Sequence, residues 1–352
     1  MVEAWLRDAG FFAGEASARG SVADVYFGYG LADPLRRSTA GAPPEPCPEL
    51  PLAACRVRRE DEPAPGLAPG LAAAEQAFSV GAWERSWTDA GYAAAIAAVR
   101  EAIRRGDVYQ VNLVQHLAAD FTGDPTALAA ALAPLRPLQP RPLAGDGWTI
   151  VSASPEVFLR RRGDRIWTLP IKGTRPLGAA AANLPGAEKD GAEHTMIVDL
   201  ERNDLSRVCE PGSVRWPELM AQRELAGVSH LVSTVEGQLR PGVGLAELLA
   251  AMFPGGSVTG APKIAALDVI AALEPVGRGA SMGALGTVWP NGDLDLALTI
   301  RTFAVAAGRL HLWVGGGIVW DSVPEAEIEE SWVKARPLCR AIGAPLTEGA
   351  LA

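Results

Sequence analysis

The sequence predicts an α+β protein with largely antiparallel sheets, and three observations carry that expectation. Strand-like runs recur along the chain, at residues 21–30, 148–153, 165–171, 233–239, 296–305 and 309–320. Helical patterns separate only some of them, so the regular βαβ alternation of a parallel sheet is missing. Hydrophobic residues make up 48% of the 352, ample for a sizeable core. The length accommodates two domains or one large one. Residues 1–85 are too few and too broken for an independent fold, and are expected to pack as a shortened N-terminal region on a main domain spanning 86–345.

SVADVYFGYG (21–30) reads as the first strand. The prolines of residues 41–70 then interrupt every helical or alternating pattern and mark a long loop or an irregular edge. From Ser86 the signals sharpen. Tyr92, Ile96, Val99 and Ile103 recur at helical spacing, Ser86 or Thr88 can cap the start, and Gly106 ends the run. VYQVNLVQHL alternates, placing Tyr109, Val111 and Leu113 on a packing face and the amides of Gln110 and Asn112 on the other. WTIVSA, RIWTLPI, STVEGQL, LALTIRTFAV and RLHLWVGGGIVW supply further strands. Helices are expected over 190–204 and after Ser322, where Ser322-x-x-Glu325 makes a capping box.

The balance of 32 basic to 41 acidic side chains gives a net charge of -9, which opposes non-specific attraction to nucleic acid or to an anionic membrane. Neither is expected as a partner, and an anionic substrate needs a local cationic site. The four cysteines, Cys47, Cys55, Cys209 and Cys339, form no C-x-x-C pair and no disulfide framework. The N-terminus lacks the basic start and apolar run of a signal peptide, and no apolar run is long enough to span a bilayer. A cytoplasmic protein is expected.

Several groups of residues could carry chemistry. Asp190 and Glu193 share one face of the 190–204 helix, and Glu327, Glu330 and Lys334 form a stripe on the last helix. Two carboxylate pairs without His or Cys suit a hard cation such as Mg²⁺. Each pair alone is also what a solvated helix face presents. FPGGSVTGAPK (253–263) contains G-x-x-x-x-G but continues Ala-Pro-Lys, so it fails as a nucleotide P-loop. Pro262 is placed for the first turn of a helix through Ile264, Leu267 and Ile270, whose free N–H groups attract phosphate or carboxylate. Gly315, Gly316 and Gly317 could let an anion approach the backbone, and tight-turn packing explains either glycine run as well. His230, in an apolar stretch, reads as a core histidine or a catalyst, and His194 and His311 offer less. Lys172, in LPIKGTRP, places an ammonium among residues poised for burial.

Taken in order, YQVNLVQ, SASPE, PIKGTRP, EHTMIVDLERNDL, VSHLVS, PGGSVTGAPK, LALTIRTF and GGGIVWDSVPEAEIEESWVKA resemble the chorismate-utilising enzymes over roughly residues 90 to 342. The resemblance implies two large packed sheets, mainly antiparallel, with outer helices. It implies Mg²⁺ bridging Glu193 and Glu330 to the ring carboxylate of chorismate, with Asp190 and Glu327 behind them. Gln110, Gly173, Thr174, Ser257, Arg301, Gly315, Gly316, Gly317 and Lys334 match substrate-binding positions. Glu156 matches an acid/base position, and His230 one beside the departing hydroxyl.

Family membership leaves the reaction open, and two positions narrow it. Relatives that add water to chorismate carry an activating lysine where this chain has Gln110, which is no base. Among ammonia users, anthranilate synthases usually read PIAGTR and lysine-type aminodeoxychorismate synthases PIKGT; this chain has Lys172. A lysine that takes ring carbon C2 first leaves ammonia to enter at C4. The resemblance therefore implies 4-amino-4-deoxychorismate as product, for p-aminobenzoate and folate. No cysteine sits in a G-x-C-x-G elbow, so ammonia is expected from a separate glutamine amidotransferase subunit. An anthranilate synthase large subunit and a non-catalytic chorismate-binding subunit are the alternatives. Gly286-Thr287 stands where many relatives have Gly-Tyr, and the N-terminal region that forms a tryptophan pocket in relatives is short, so feedback inhibition is not expected.

Overall fold

The structure is a computed structural model that describes residues 1–13, 18–39, 41–65, 77–176, 187–225 and 228–346; the side chains of residues 173–176, 187–190, 192, 224–225 and 228–230 lie outside the description. Two antiparallel sheets organise the chain. Among the described residues the first runs β10 (Ile171–Pro176), β12 (Val228–Gln238), β9 (Arg165–Leu169), β8 (Val157–Arg162), β15 (Leu294–Leu298), β14 (Ala284–Val288), β1 (Ser21–Phe27) and β2 (Ala53–Arg59), with β11 (Arg215–Leu225) also paired to β12. The second runs β13 (Gly260–Ala261), β5 (Gln110–Gly123), β17 (Arg309–Ile318), β16 (Thr302–Ala306), β7 (Trp148–Ser152) and β6 (Leu143–Gly145), with β3 (Phe78–Val80) and β4 (Glu84–Arg85) added along β5. The α+β expectation, with packed antiparallel sheets and helices outside them, holds.

Helix Asp89–Arg105 follows its sequence signals. Thr88 Oγ1 accepts the Gly91 N–H, and Gly106 closes the helix at φ 81. Ser86 is occupied elsewhere, against His116. Tyr92, Ile96 and Val99 are fully buried in one cluster with Val111, Leu113 and Ile318 of the second sheet. Burying a side chain of this size contributes roughly 1.5–3 kcal/mol. Tyr109 departs from the expected face: β5 begins at Gln110, so Tyr109 is 69% exposed.

Other expectations are corrected. Residues 41–70 contain the edge strand β2, paired from Ser21↔Arg59 to Phe27↔Ala53. Its stretch ACRVRR carries no proline, and Arg58 makes a two-pronged ion pair with the buried Asp24 of β1. The capping box at Ser322 does not form. Ser322 Oγ instead accepts the Val319 N–H, Val323 takes the cap position, and Pro324 opens helix Pro324–Ala341 without needing a partner for a missing N–H. Pro170 divides the run 165–171 into β9 and β10.

The single strand predicted over 296–305 is two strands, β15 and β16, in different sheets. Residues 299–301 carry the chain across, with Arg301 at φ 50, a left-handed backbone that an arginine seldom takes. A second passage, residues 153–156, joins β7 of one sheet to β8 of the other. Because β8 pairs with β15 and β7 with β16, the two passages run side by side. Ala153 N–H bonds Arg301 O, and Leu298 N–H bonds Glu156 O, which ties them together.

Candidate active site

The sheets part at these passages around a cavity of about 540 Å³, within the range of small-molecule sites. Pro155 and Glu156 come from one passage, and Ile300 and Arg301 from the other. β10 contributes Lys172, helix Ala187–Ser206 contributes Glu193, and the loop after Phe253 contributes Ser257. The far wall is the glycine run of β17 with Glu327, Glu330 and Lys334 of helix Pro324–Ala341. Residues scattered over half the sequence thus face one space.

Lys172 Nζ donates to Glu193 Oε1 at 2.7 Å, with the two side chains 14% and 12% exposed. Burial works against the ammonium, but the attraction and hydrogen bond of Glu193, with Glu156 and Glu330 behind, hold its pKa above the ordinary lysine value. Glu193 Oε1 also accepts from Gln110 Nε2 at 2.8 Å. Glu156 is 5% exposed and accepts from Ser257 Oγ at 2.8 Å. Burial raises its pKa despite that bond and the nearby Lys172. Burial also lowers the pKa of Arg301, with Glu156 opposing. On the far wall Lys334 Nζ reaches Glu330 Oε1 at 2.7 Å and Gly315 O at 2.9 Å.

Most of the residues singled out in the sequence therefore meet. Gln110, fully buried, stands behind Glu193 and touches the space through it. Gly173 and Thr174 lie on β10, and Thr174 is opposite His230 of β12 in register. The side chains of Thr174, Asp190 and His230 lie outside the described residues. Other lining residues carried no assigned role in the sequence. Asn112, which alternation sets beside Gln110 as an amide, lines the cavity, as do Met282 and Trp313, which nothing local marks. Arg278, also missed, is buried and donates to Val258 O and Asn112 O at 2.7 Å each while gripping Glu274, so it pins two walls of the site together.

The donor chemistry fits a hard cation. Glu193, Glu327 and Glu330 offer oxygen alone, and the glycines keep room between them. A Cβ on Gly317 would collide with Glu193 Oε1 and Gln110 Nε2, and one on Gly316 would sit 3.3 Å from Glu330 Oε1. Among the described residues no three His, Cys, Asp or Glu side chains are gathered as a ready cage. Lys172 and Lys334 neutralise the two glutamates instead.

Residues 49–340 match the chorismate binding enzyme family. Anthranilate synthase component 1 of Thermus thermophilus is 43% identical over 296 residues, 81% of this chain and 62% of that protein. Aminodeoxychorismate synthase component 1 of Bacillus subtilis is 38% identical over 275 residues, 75% of this chain and 58% of that protein. The chain thus spans less than two thirds of the length of these curated relatives. The crystal structure of anthranilate synthase component I from Streptococcus pneumoniae superposes with a TM-score of 0.79 at 26% identity, covering 96% of this chain and 85% of that one. No helix among the described residues is long and apolar enough to cross a membrane. On the match over residues 49–340 and the identity to these relatives, the chain belongs to the chorismate binding enzyme family.

Proposed function

We propose that this protein aminates chorismate at C4, giving 4-amino-4-deoxychorismate for p-aminobenzoate and folate synthesis, with ammonia from a separate glutamine amidotransferase subunit. The observation that carries the reading is Lys172, an amine projecting into the cavity within 2.7 Å of Glu193 and beside the acid Glu156. A subunit that merely binds chorismate has no use for such a nucleophile.

Nζ would bond to C2 as the ring double bond shifts and the C4 hydroxyl leaves. Ammonia would then enter at C4, the double bond would shift back, and the lysine would depart from C2. Chorismate and ammonia become the amine and water, so the balance closes. A free lysine has a pKa of ~10.4, and Glu193 raises that of Lys172 further, so the resting group is an ammonium. Its proton must leave before attack, and Glu193 Oε1 is the hydrogen-bonded base placed to take it. Glu156, held toward its neutral form by burial, is suited to protonate the departing hydroxyl. Arg301, Lys334 and the glycine backbone would hold the substrate carboxylates. Mg²⁺ held by Glu193 and Glu330, with Asp190 and Glu327 supporting, would neutralise the ring carboxylate.

Anthranilate formation is the second reading, favoured by the name of the Thermus thermophilus relative. Product identification after incubation with chorismate, Mg²⁺ and an ammonium salt separates the two. The C4 amine is expected from the wild type, together with a lysine adduct on the Lys172 peptide when ammonia is withheld. Anthranilate from the wild type, or the C4 amine from Lys172→Ala at the wild-type rate, would overturn the proposal.

A further inference from the structure

The loop that carries Ser257 is tied to helix Ala187–Ser206 at two points one turn apart. Glu201 Oε1 accepts the Gly256 N–H at 3.0 Å. Asp204 Oδ2, three residues on and so on the same face, accepts from Lys263 Nζ at 2.6 Å, and the same Nζ reaches Met252 O at 3.0 Å. That second tie closes the two ends of the loop on each other. The first falls on the residue before Ser257, whose Oγ donates to Glu156 Oε1 at 2.8 Å. A carboxyl of the helix, one peptide group and one hydroxyl thus lead in sequence to the acid in the cavity.

Holding a loop with Glu201 is costly. The side chain is 2% exposed, Gly256 is its one hydrogen-bond partner among the described residues, and Oε2 has none. A buried carboxyl with an oxygen left unpaired destabilises a fold, and an apolar side chain in its place would not. Asp204 and Lys263 would still anchor the loop without it. The bond to Gly256 must therefore supply something beyond anchorage. Its geometry is tight, since a Cβ on Gly256 would sit 2.6 Å from Leu200 Cδ2 and 3.1 Å from Glu201 Oε1, so glycine lets helix and loop approach this far. Burial brings the pKa of Glu201 to about 7, and Oε1 accepts whether or not Oε2 carries a proton.

We infer that Glu201 is a positioning residue for Glu156: by holding the Gly256 N–H it fixes the turn that presents Ser257 Oγ to the Glu156 carboxyl. The inference rests on the reading that Glu156 protonates the departing hydroxyl. Gly256–Val258 form a single short helical turn, so rotation of the Gly256 peptide would carry Ser257 with it. Ser257 Oγ in turn sets the rotation of the Glu156 carboxyl. An acid that must deliver its proton to one oxygen depends on that rotation. Glu201 does not line the cavity, so it acts on the reaction only through these neighbours.

The test is the steady-state rate of amination in the wild type, Glu201→Met, Glu201→Gln, Ser257→Ala and Glu201→Met combined with Ser257→Ala. Glu201→Met nearly keeps the shape and removes the buried carboxyl, so the fold is expected to stand. It should lower kcat about tenfold, a part of the roughly 10²–10⁴ that a placed acid supplies, with the KM for chorismate within about threefold. Glu201→Gln keeps an acceptor for Gly256 and should return kcat to within about threefold of the wild type. In the Ser257→Ala background Glu201→Met should change kcat by less than about twofold, because its effect passes through Ser257; a merely structural role would exact its loss again. If Glu201→Met does not fold, Glu201→Asp, one methylene shorter, carries the same comparisons. An unchanged kcat in the folded variant, no recovery in Glu201→Gln, or an undiminished loss in the Ser257→Ala background overturns the inference and leaves the functional reading standing. No aminated product from the wild type, or a wild-type rate from Glu156→Gln, overturns the reading of Glu156 and the inference with it.

Discussion

Two lysine–glutamate pairs face each other across the cavity at the same 2.7 Å, and they differ in almost everything else. Glu330 and Lys334 are a turn apart on one helix, 52% and 26% exposed. Local helix geometry alone brings such a pair together, and solvent screens it. Lys172 and Glu193 come from a strand and a helix 21 residues apart, and both are mostly buried. Holding that pair requires the fold, and the fold places it beside Glu156. Equal distances thus conceal unequal roles: the exposed pair is an adjustable wall, and the buried pair is the reactive centre of the proposed chemistry.

The largest expected break in this contrast is catalytic. Lys172→Ala should lower formation of the C4 amine by at least about a thousandfold, the scale on which loss of a nucleophile acts. Lys334→Ala should act chiefly on the KM for chorismate. Product mass and ultraviolet spectrum read the first, and steady-state kinetics the second.

A third glutamate sharpens the comparison because it has no lysine of its own. Glu201, on the same helix as Glu193, is 2% exposed, accepts the Gly256 N–H through Oε1, and leaves Oε2 unpaired. Burial, partly opposed by Lys263, pushes its pKa up to about 7 from 4.5. Between those values the folded chain keeps a proton that the unfolded chain releases, so stability falls as pH rises. Over that interval the wild type should lose on the order of 3 kcal/mol relative to Glu201→Gln. Urea midpoints of both proteins at about pH 5 and about pH 7.5 check it, and parallel curves would refute it.

Smaller effects separate the two pairs by stability. Lys172→Met leaves the Glu193 charge with only Gln110 as its described partner and should cost about 1–3 kcal/mol. The lysine's raised pKa means that the pair's contribution is complete at neutral pH and is lost only as pH climbs through that raised value. Lys334→Met should cost less than about 1 kcal/mol, and added salt should erase most of that. Equal costs for the two variants would break the contrast.

What could be read from the sequence was mostly local. Thr88, Gly106 and the apolar spacing between them define a helix because each acts within a turn or two. The motif residues could be recognised as belonging to one site, since so many stand in order. The break at Arg301 could not, because LALTIRTFAV keeps its alternation straight through a positive φ. β2 was hidden by the prolines around it, as its evidence is the partner strand β1 and not its own composition. The ammonium state of Lys172 was equally out of reach: burial and attraction pull its pKa in opposite directions, and the position of Glu193 decides between them.

The paired passages at 153–156 and 299–301 also limit how the protein can change. Side chains alternate along a strand, so inserting one residue in either passage would exchange the two faces of the strand that follows. Phe303 and Val305, which pack in one core cluster, would trade places with the equally buried Ala304 and Ala306 of the other, and Arg301 would lose its aim at the cavity. Substitution leaves the register alone, yet on β17 it is confined too, because a Cβ on Gly315 or Gly317 would strike neighbouring atoms. Diversification of substrate or product, in nature or in a laboratory library, is therefore expected to proceed by substitution outside those glycines, while the lengths of the passages stay fixed to the residue.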